Sequence, residues 1–163
     1  MRGYKDYKEI LTKFNQSLLE KFGANLISLV LFGSVARGAA KTESDIDLLI
    51  ILKDAPDSYY RRIEPVIDIE LKLWEEAFET TGAAPTFSSI VLSKEEAMEN
   101  RNIFLDMIDA SIILYDKNGF FKNRLKELKK RLLQLGSKKI KLEDKTWYWS
   151  LKPDITPGEV FEL

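Results

Sequence analysis

Apolar residues open the chain at helical spacing: Tyr7, Ile10, Leu11, Phe14, Leu18, Leu19 and Phe22 share one stripe, and Gly23 follows as a stop. The pattern predicts an amphipathic helix whose stripe lies on a sheet. The period then changes. Residues 26–32 form a short, almost continuously apolar run that ends at Gly33, and residues 46–52 form a second run rich in Ile and Leu. Both read as buried central strands. The small, polar stretch from Gly33 to Ser44 between them has room for about two helical turns beginning near Ser34.

From Pro56 to Thr80 charged residues alternate with Tyr, Ile, Val, Leu and Trp, which predicts a long helix with an irregularity at Pro65. Gly82 and Pro85 break it. Phe87 to Leu92 reads as a third strand, and Ser93 with Glu96 forms a capping box that opens a helix to about Asp109. Ser111 to Tyr115 fits a shorter fourth strand. Leu125, Leu128, Leu132 and Leu135 mark one face of a basic helix stopping at Gly136, and the aromatic run beyond Lys145 reads as an extended tail. This order of elements predicts an α/β or α+β domain built on one sheet with helices against it. The expected division is a domain over 1–115 and, over 116–163, a basic helix and aromatic tail packing on it.

Composition narrows the chemistry. A chain of 163 residues with 45% hydrophobic and 31% charged residues has enough apolar material for a core, and it is neither disordered nor low in complexity. No apolar run approaches the roughly 20 residues of a membrane helix, and the polar start does not resemble a signal peptide, so a cytoplasmic protein is expected. There is no Cys and no His. Thiol nucleophiles, disulfides, imidazole bases and Cys/His zinc sites are therefore excluded, and any metal has to be a hard cation held by oxygen. The net charge of −1 is uneven: residues 117–145 hold eleven Lys or Arg against three acidic residues, a net +8 that leaves −9 elsewhere. The basic helix is read as a solvated face offsetting an acidic body rather than as a nucleic-acid site. Trp147, Tyr148 and Trp149 are read as clasping their own domain.

The candidate chemistry lies between Leu31 and Ile50, in LFGSVARGAAKTESDIDLLI. Gly33 lets a phosphate approach the backbone, Ser34 opens a short helix, and Arg37 follows one turn later. Asp45 and Asp47 share one face of the second strand with Cα atoms roughly 6.6 Å apart, a spacing at which two carboxylates hold Mg²⁺. Alone, the two aspartates would be no more than the polar start of a strand; beside Gly33 and Ser34 they make a multi-part motif. GSVARG also carries two glycines of a P-loop, but Ala39 and Ala40 stand where Lys and Ser or Thr are required.

Phe32-Gly33-Ser34, a ten-residue spacer and Asp45-Ile46-Asp47-Leu48, with Arg37, Gly38 and Ser44 in agreement, resemble the signature of the minimal nucleotidyltransferases of the DNA polymerase β-like superfamily. The resemblance covers about the first 115 residues. It implies a nucleotidyltransferase fold with a small mixed sheet, Mg²⁺ held by Asp45 and Asp47, and a nucleoside triphosphate, expected to be ATP, at Gly33, Ser34, Arg37 and Ser44. It further implies transfer of a nucleoside monophosphate to an acceptor hydroxyl. Similar prokaryotic proteins resemble antitoxins that modify or mask a helical toxin, so a helical partner protein is a plausible acceptor by analogy. A third carboxylate is expected on the next strand, where Ser88 and Ser89 stand instead. Glu70, Asp68, Glu95 and Glu96 are the candidates to replace it, and a weak or inactive partner-masking module is the alternative.

Overall fold

The computed structural model describes residues 1–143 and 147–163. Asp144 and Lys145, counted above in the basic stretch, lie outside the described residues. The chain divides into two compact units, Met1–Lys122 and Asn123–Leu163. The first holds helices α1 (Tyr4–Phe22), α2 (Gly33–Ala36), α3 (Tyr59–Thr81), α4 (Lys94–Met98) and α5 (Asn102–Asp109) and strands β1 (Leu26–Phe32), β2 (Ile46–Leu52), β3 (Phe87–Ser93) and β4 (Ile112–Asp116). Helix α6 (Phe120–Gln134) begins in this unit, and the second unit adds β5 (Lys138–Lys141) and β6 (Trp147–Ser150).

The sheet runs β3-β2-β1-β4, with β1 antiparallel to both neighbours and β3 parallel to β2. It is therefore mixed, and the two apolar runs are its central strands. The long connection from β2 to β3 through α3 follows from parallel pairing, which a tight turn cannot make. Alternation along β2 sends Ile46, Leu48, Ile50 and Leu52 to one face, where they form one buried cluster with Tyr7, Leu11, Phe14 and Leu18 of α1 and Val66 and Leu73 of α3. Phe87, paired with Ile46, points the same way, its ring centroid 5.1 Å from that of Phe14. Asp47, Leu49 and Ile51 point to the other face. The helices α1 and α3 thus cover the side of the sheet away from Asp47.

Four elements depart from their expected form. The stretch after Gly33 makes one helical turn instead of two and then leaves through Gly38 at φ +68°. Helix α3 continues through Pro65, which forfeits only the backbone bond to the carbonyl of Arg61. The capping box of Ser93 and Glu96 forms, but the helix it opens ends at Met98. The guanidinium of Arg101 takes the carbonyl of Glu96 at 3.0 Å, an acceptor that a continuing helix would give to the Asn100 amide, and α5 starts afresh at Asn102. The aromatic run is strand β6, paired with β5, where Lys139 lies opposite Trp149 and Ile140 opposite Tyr148. The sequence pattern missed β5 because lysines outnumber apolar residues in Lys138–Lys141.

Phe14 has 0% exposure and packs against Phe87 beneath the sheet, the rings tilted by 32°. Phe14→Ala should lower unfolding stability by about 3–5 kcal/mol in urea denaturation, as expected for a large aromatic removed from a packed core. A loss below about 1 kcal/mol would mean that α1 is not anchored as described.

Candidate functional site

The site forms where β1 ends and β2 begins. Phe32 is paired with Asp47 across the antiparallel ladder, so the turn after β1 meets the first residues of β2. At that turn Gly33 adopts φ +69°, a conformation L side chains rarely take. A Cβ on Gly33 would lie 1.9 Å from Oδ2 of Asp47 and 2.7 Å from its Cγ. The Asp47 carboxylate thus occupies the volume that any other residue at 33 would fill. The backbone amide of Ser34 donates a hydrogen bond to the same carboxylate. Glycine, serine and aspartate are one packed unit, although 13 positions separate Ser34 from Asp47.

Asp47 is half-buried, and burial is the largest influence raising its pKa; the neighbouring charge of Asp45 adds to it. Arg37 and the Ser34 amide act in the opposite direction. A pair of carboxylates is therefore held together with incomplete compensation, a field that favours a cation beside them. Asp45 itself is exposed and accepts a hydrogen bond from the hydroxyl of Thr86, just before β3. Thr86 is a positioning residue that the sequence reading overlooked. Its signal was the alternation of Thr86 with Ser88, which the parallel register puts beside Asp45 and Asp47.

The remaining predicted residues are placed differently from one another. Arg37 is exposed, one turn from Gly33, and close enough to Asp47 to act on it electrostatically. Ser44 closes the turn before Asp45: its Oγ accepts the amide of Lys41 at 2.9 Å. Ser44 and Thr86 also line a cleft of about 830 Å³, walled by Arg2, Tyr7 and Lys13 on one side and Leu73 on the other. The site thus opens on one flank into a cavity between the start of α1 and the end of α3. Mutual backbone bonds between Arg2 and Ala40 hold the loop after α2 against the start of the chain.

The register also decides between the two serines. Ser88 is paired with Asp47 and shares its face, whereas Ser89 is paired with Leu48 and faces the helices. There the Ser89 hydroxyl donates to Glu70 of α3 at 2.5 Å. Glu70 therefore lies on the covered side of the sheet and does not replace a carboxylate beside Asp47, contrary to one expectation from the sequence; Asp68 belongs to the same covering helix and is exposed. Glu95 and Glu96 follow the far end of β3, roughly 17 Å along the strands from Asp47. Glu96 is also engaged, pairing with Arg62 and accepting the Ser93 amide at 2.7 Å. Among the described residues no group of three acidic side chains is placed to hold a metal ion. The site consists of two aspartates and Ser88.

Residues 11–144 match the nucleotidyltransferase domain family. A protein of Methanocaldococcus jannaschii, MJ1305, which carries the provisional name protein adenylyltransferase, is 34% identical over 121 residues, covering 74% of this chain and 79% of that protein. The protein adenylyltransferase MntA of Thermococcus cleftensis is 39% identical over 51 residues, which is 31% of this chain and 50% of that protein. Among solved structures, a toxin–antitoxin crystal structure with AMP-PNP aligns at 14% identity and TM-score 0.42, over 77% of this chain and 91% of that one.

Two substitutions test the packing at the two faces. Gly33→Ala forces the Asp47 carboxylate out of its place and strains the backbone, so it should cost on the order of 2 kcal/mol or more in thermal unfolding. An unchanged melting temperature would contradict the close approach. Glu70→Gln should do the opposite. Burial raises the Glu70 pKa above the 4.5 of an ordinary glutamate, outweighing the Ser89 hydrogen bond. In the window from that ordinary value up to the raised one the native state holds more protons than the unfolded chain, so stability falls as pH rises through it. The Gln variant escapes this loss: it should be more stable than the natural chain at pH 7, and the advantage should vanish below about pH 4.

Proposed function

For a chain that belongs to the nucleotidyltransferase domain family, with two aspartates locked against a Gly-Ser turn, we propose Mg²⁺-dependent transfer of a nucleotidyl group from ATP to a hydroxyl of a partner protein in the cytoplasm. The observation that carries the proposal is the Asp47 carboxylate in the space of the absent Gly33 Cβ, with Asp45 two residues earlier on the same face. The donor set fits the metal: both groups are hard oxygen ligands, their charges are incompletely compensated, and phosphate oxygens and water would complete the shell. Once bound, the ion supplies charge neutralisation at the phosphates.

The protein's own groups do the rest. Gly33 makes room for the Asp47 carboxylate at the turn, the Ser34 hydroxyl lies at the same turn, and Arg37 supplies positive charge one turn away. Thr86 fixes Asp45, and the Ser34 amide fixes Asp47, so neither carboxylate has to be ordered when the nucleotide arrives. In the transfer, the acceptor oxygen bonds to the α-phosphorus, the bond from that phosphorus to the bridging oxygen breaks, pyrophosphate leaves, and the hydroxyl proton passes to solvent. The names of MJ1305 and MntA, protein adenylyltransferases, support AMP as the group and a protein as the acceptor. The cleft beside Ser44 and Thr86 is the space on the site's flank available to that acceptor.

Ser88 favours a second reading. It stands beside Asp47 where a carboxylate would support deprotonation of the acceptor, and loss of such support commonly slows transfer by about 10²-fold to 10⁴-fold. On that reading the domain binds nucleotide and masks its partner with little turnover. Calorimetry with ATP should show binding in Mg²⁺ that falls at least about tenfold in EDTA and in Asp45→Asn/Asp47→Asn. Equal affinity in the double variant would overturn the site. With labelled ATP the unaltered protein alone should transfer slowly. Ser88→Asp should raise the rate and Ser89→Asp should not, because only the former faces the two aspartates; rapid transfer by the unaltered chain would show that Ser88 is no handicap.

A further inference from the structure

Helix α3 has two apolar faces, and the sheet uses one of them. Arg62, Val66 and Leu73 turn inward and are buried. On the opposite side Tyr60, Ile67, Leu71, Trp74 and Phe78 are exposed, with 68%, 39%, 55%, 37% and 48% of their surface accessible. Scattered exposed apolar residues need no explanation, but these five are aligned. After the seven-residue step from Tyr60, the steps are four, three and four, the alternation with which one helix presents a seam to another. Trp74 and Phe78 are stacked, with centroids 5.0 Å apart and planes 7° from parallel, so this end of the seam is a paired aromatic surface.

Charge says what covers it. Glu64 interrupts the seam between Tyr60 and Ile67, and Asp68, Glu75 and Glu79 flank the remainder; all four are exposed. From Tyr60 to Glu79 the exposed basic residues on this side are Arg61 and Lys72, fewer than the four acids. A second α3 placed against the first would oppose acid to acid, which disfavours a symmetric pairing. The basic helix α6 of a second copy is also a poor fit: Leu128 and Leu132 of its apolar side are already buried, and Leu133 is the leucine it leaves exposed. An anionic membrane surface would be repelled.

We propose that this face of α3 seats an amphipathic helix of a different protein, apolar at four-three spacing and flanked by Lys and Arg. The buried seam supplies affinity, and the acidic flanks select the partner and its register. The inference stands apart from the transfer chemistry, since none of the five seam residues belongs to the two-aspartate site.

The test uses the full chain and two synthetic 21-residue helical peptides with the same leucine seam, one flanked by Lys and Arg and the other by Glu. In calorimetry at about 0.15 M salt the basic peptide should bind at least about tenfold more tightly than the acidic one. Leu71→Glu/Phe78→Glu should abolish binding of the basic peptide while circular dichroism stays unchanged. Asp68→Lys/Glu75→Lys/Glu79→Lys, which leaves the seam intact, should reverse the preference. Equal binding of both peptides, or of neither, would overturn the proposal. So would a dimer of the unaltered chain in sedimentation that Leu71→Glu/Phe78→Glu converts to monomer, since a second copy would then own the face.

Discussion

The organisation of the site depends on one steric fact: the Asp47 carboxylate takes the volume that a Cβ on residue 33 would fill, and glycine has none. The antiparallel pairing of Phe32 with Asp47 brings the two together, the turn after β1 is left-handed at Gly33, and the amide of Ser34 is directed onto the carboxylate. An aspartate so enclosed loses solvation, and the protein returns only part of it through Arg37 and one amide. The site is therefore built at a cost in stability, as is common where charge is held ready for a ligand.

The sheet separates two jobs by the parity of the strands. Odd positions of β2 carry Asp47 and even positions carry the apolar side chains beneath α1 and α3; β3 repeats the division with Ser88 on one side and Phe87, Ser89 and Val91 on the other. Glu70 shows how strict the division is. It bonds to a residue adjacent in sequence to Ser88, yet it belongs to the other side of the sheet. Thr86 shows the reverse: it lies outside the strand proper, and parity still brings its hydroxyl to Asp45.

Much of this was legible in the sequence. The stripe from Tyr7 to Phe22, the two apolar runs and the capping box of Ser93 and Glu96 are local patterns, and each has its structural counterpart. The Gly-Ser and Asp-x-Asp halves could be read because backbone freedom and paired carboxylates leave recognisable residue types at recognisable spacing. Pairing between distant segments was harder to see. That Ser88 and not Ser89 faces the aspartates depends on which residue of β3 meets Asp47, and no periodicity within β3 contains that information. The break at Arg101 was hidden for a similar reason: a side chain claims a carbonyl that helical spacing assigns to an amide. The hairpin of β5 and β6 escaped because its lysine-rich partner strand lacks the apolar alternation by which strands are recognised.

The order β3-β2-β1-β4 also bears on how the sheet is assembled. Phe32 and Asp47 are near neighbours in the chain, so β1 and β2 close a short loop, but Ser28 meets Asp116 only after 88 residues. Closing the longer loop costs more chain entropy, and its strand is the last of the four to leave the ribosome. Until it arrives, β1 presents an unpaired edge of buried, apolar character, the kind of edge that pairs with other chains when left open. The Ser28 hydroxyl bond to Asp116, whose other oxygen takes the amide of Lys122, ties that closing strand to the first turn of α6. The strand that seals the edge is thus secured by the segment synthesised immediately after it.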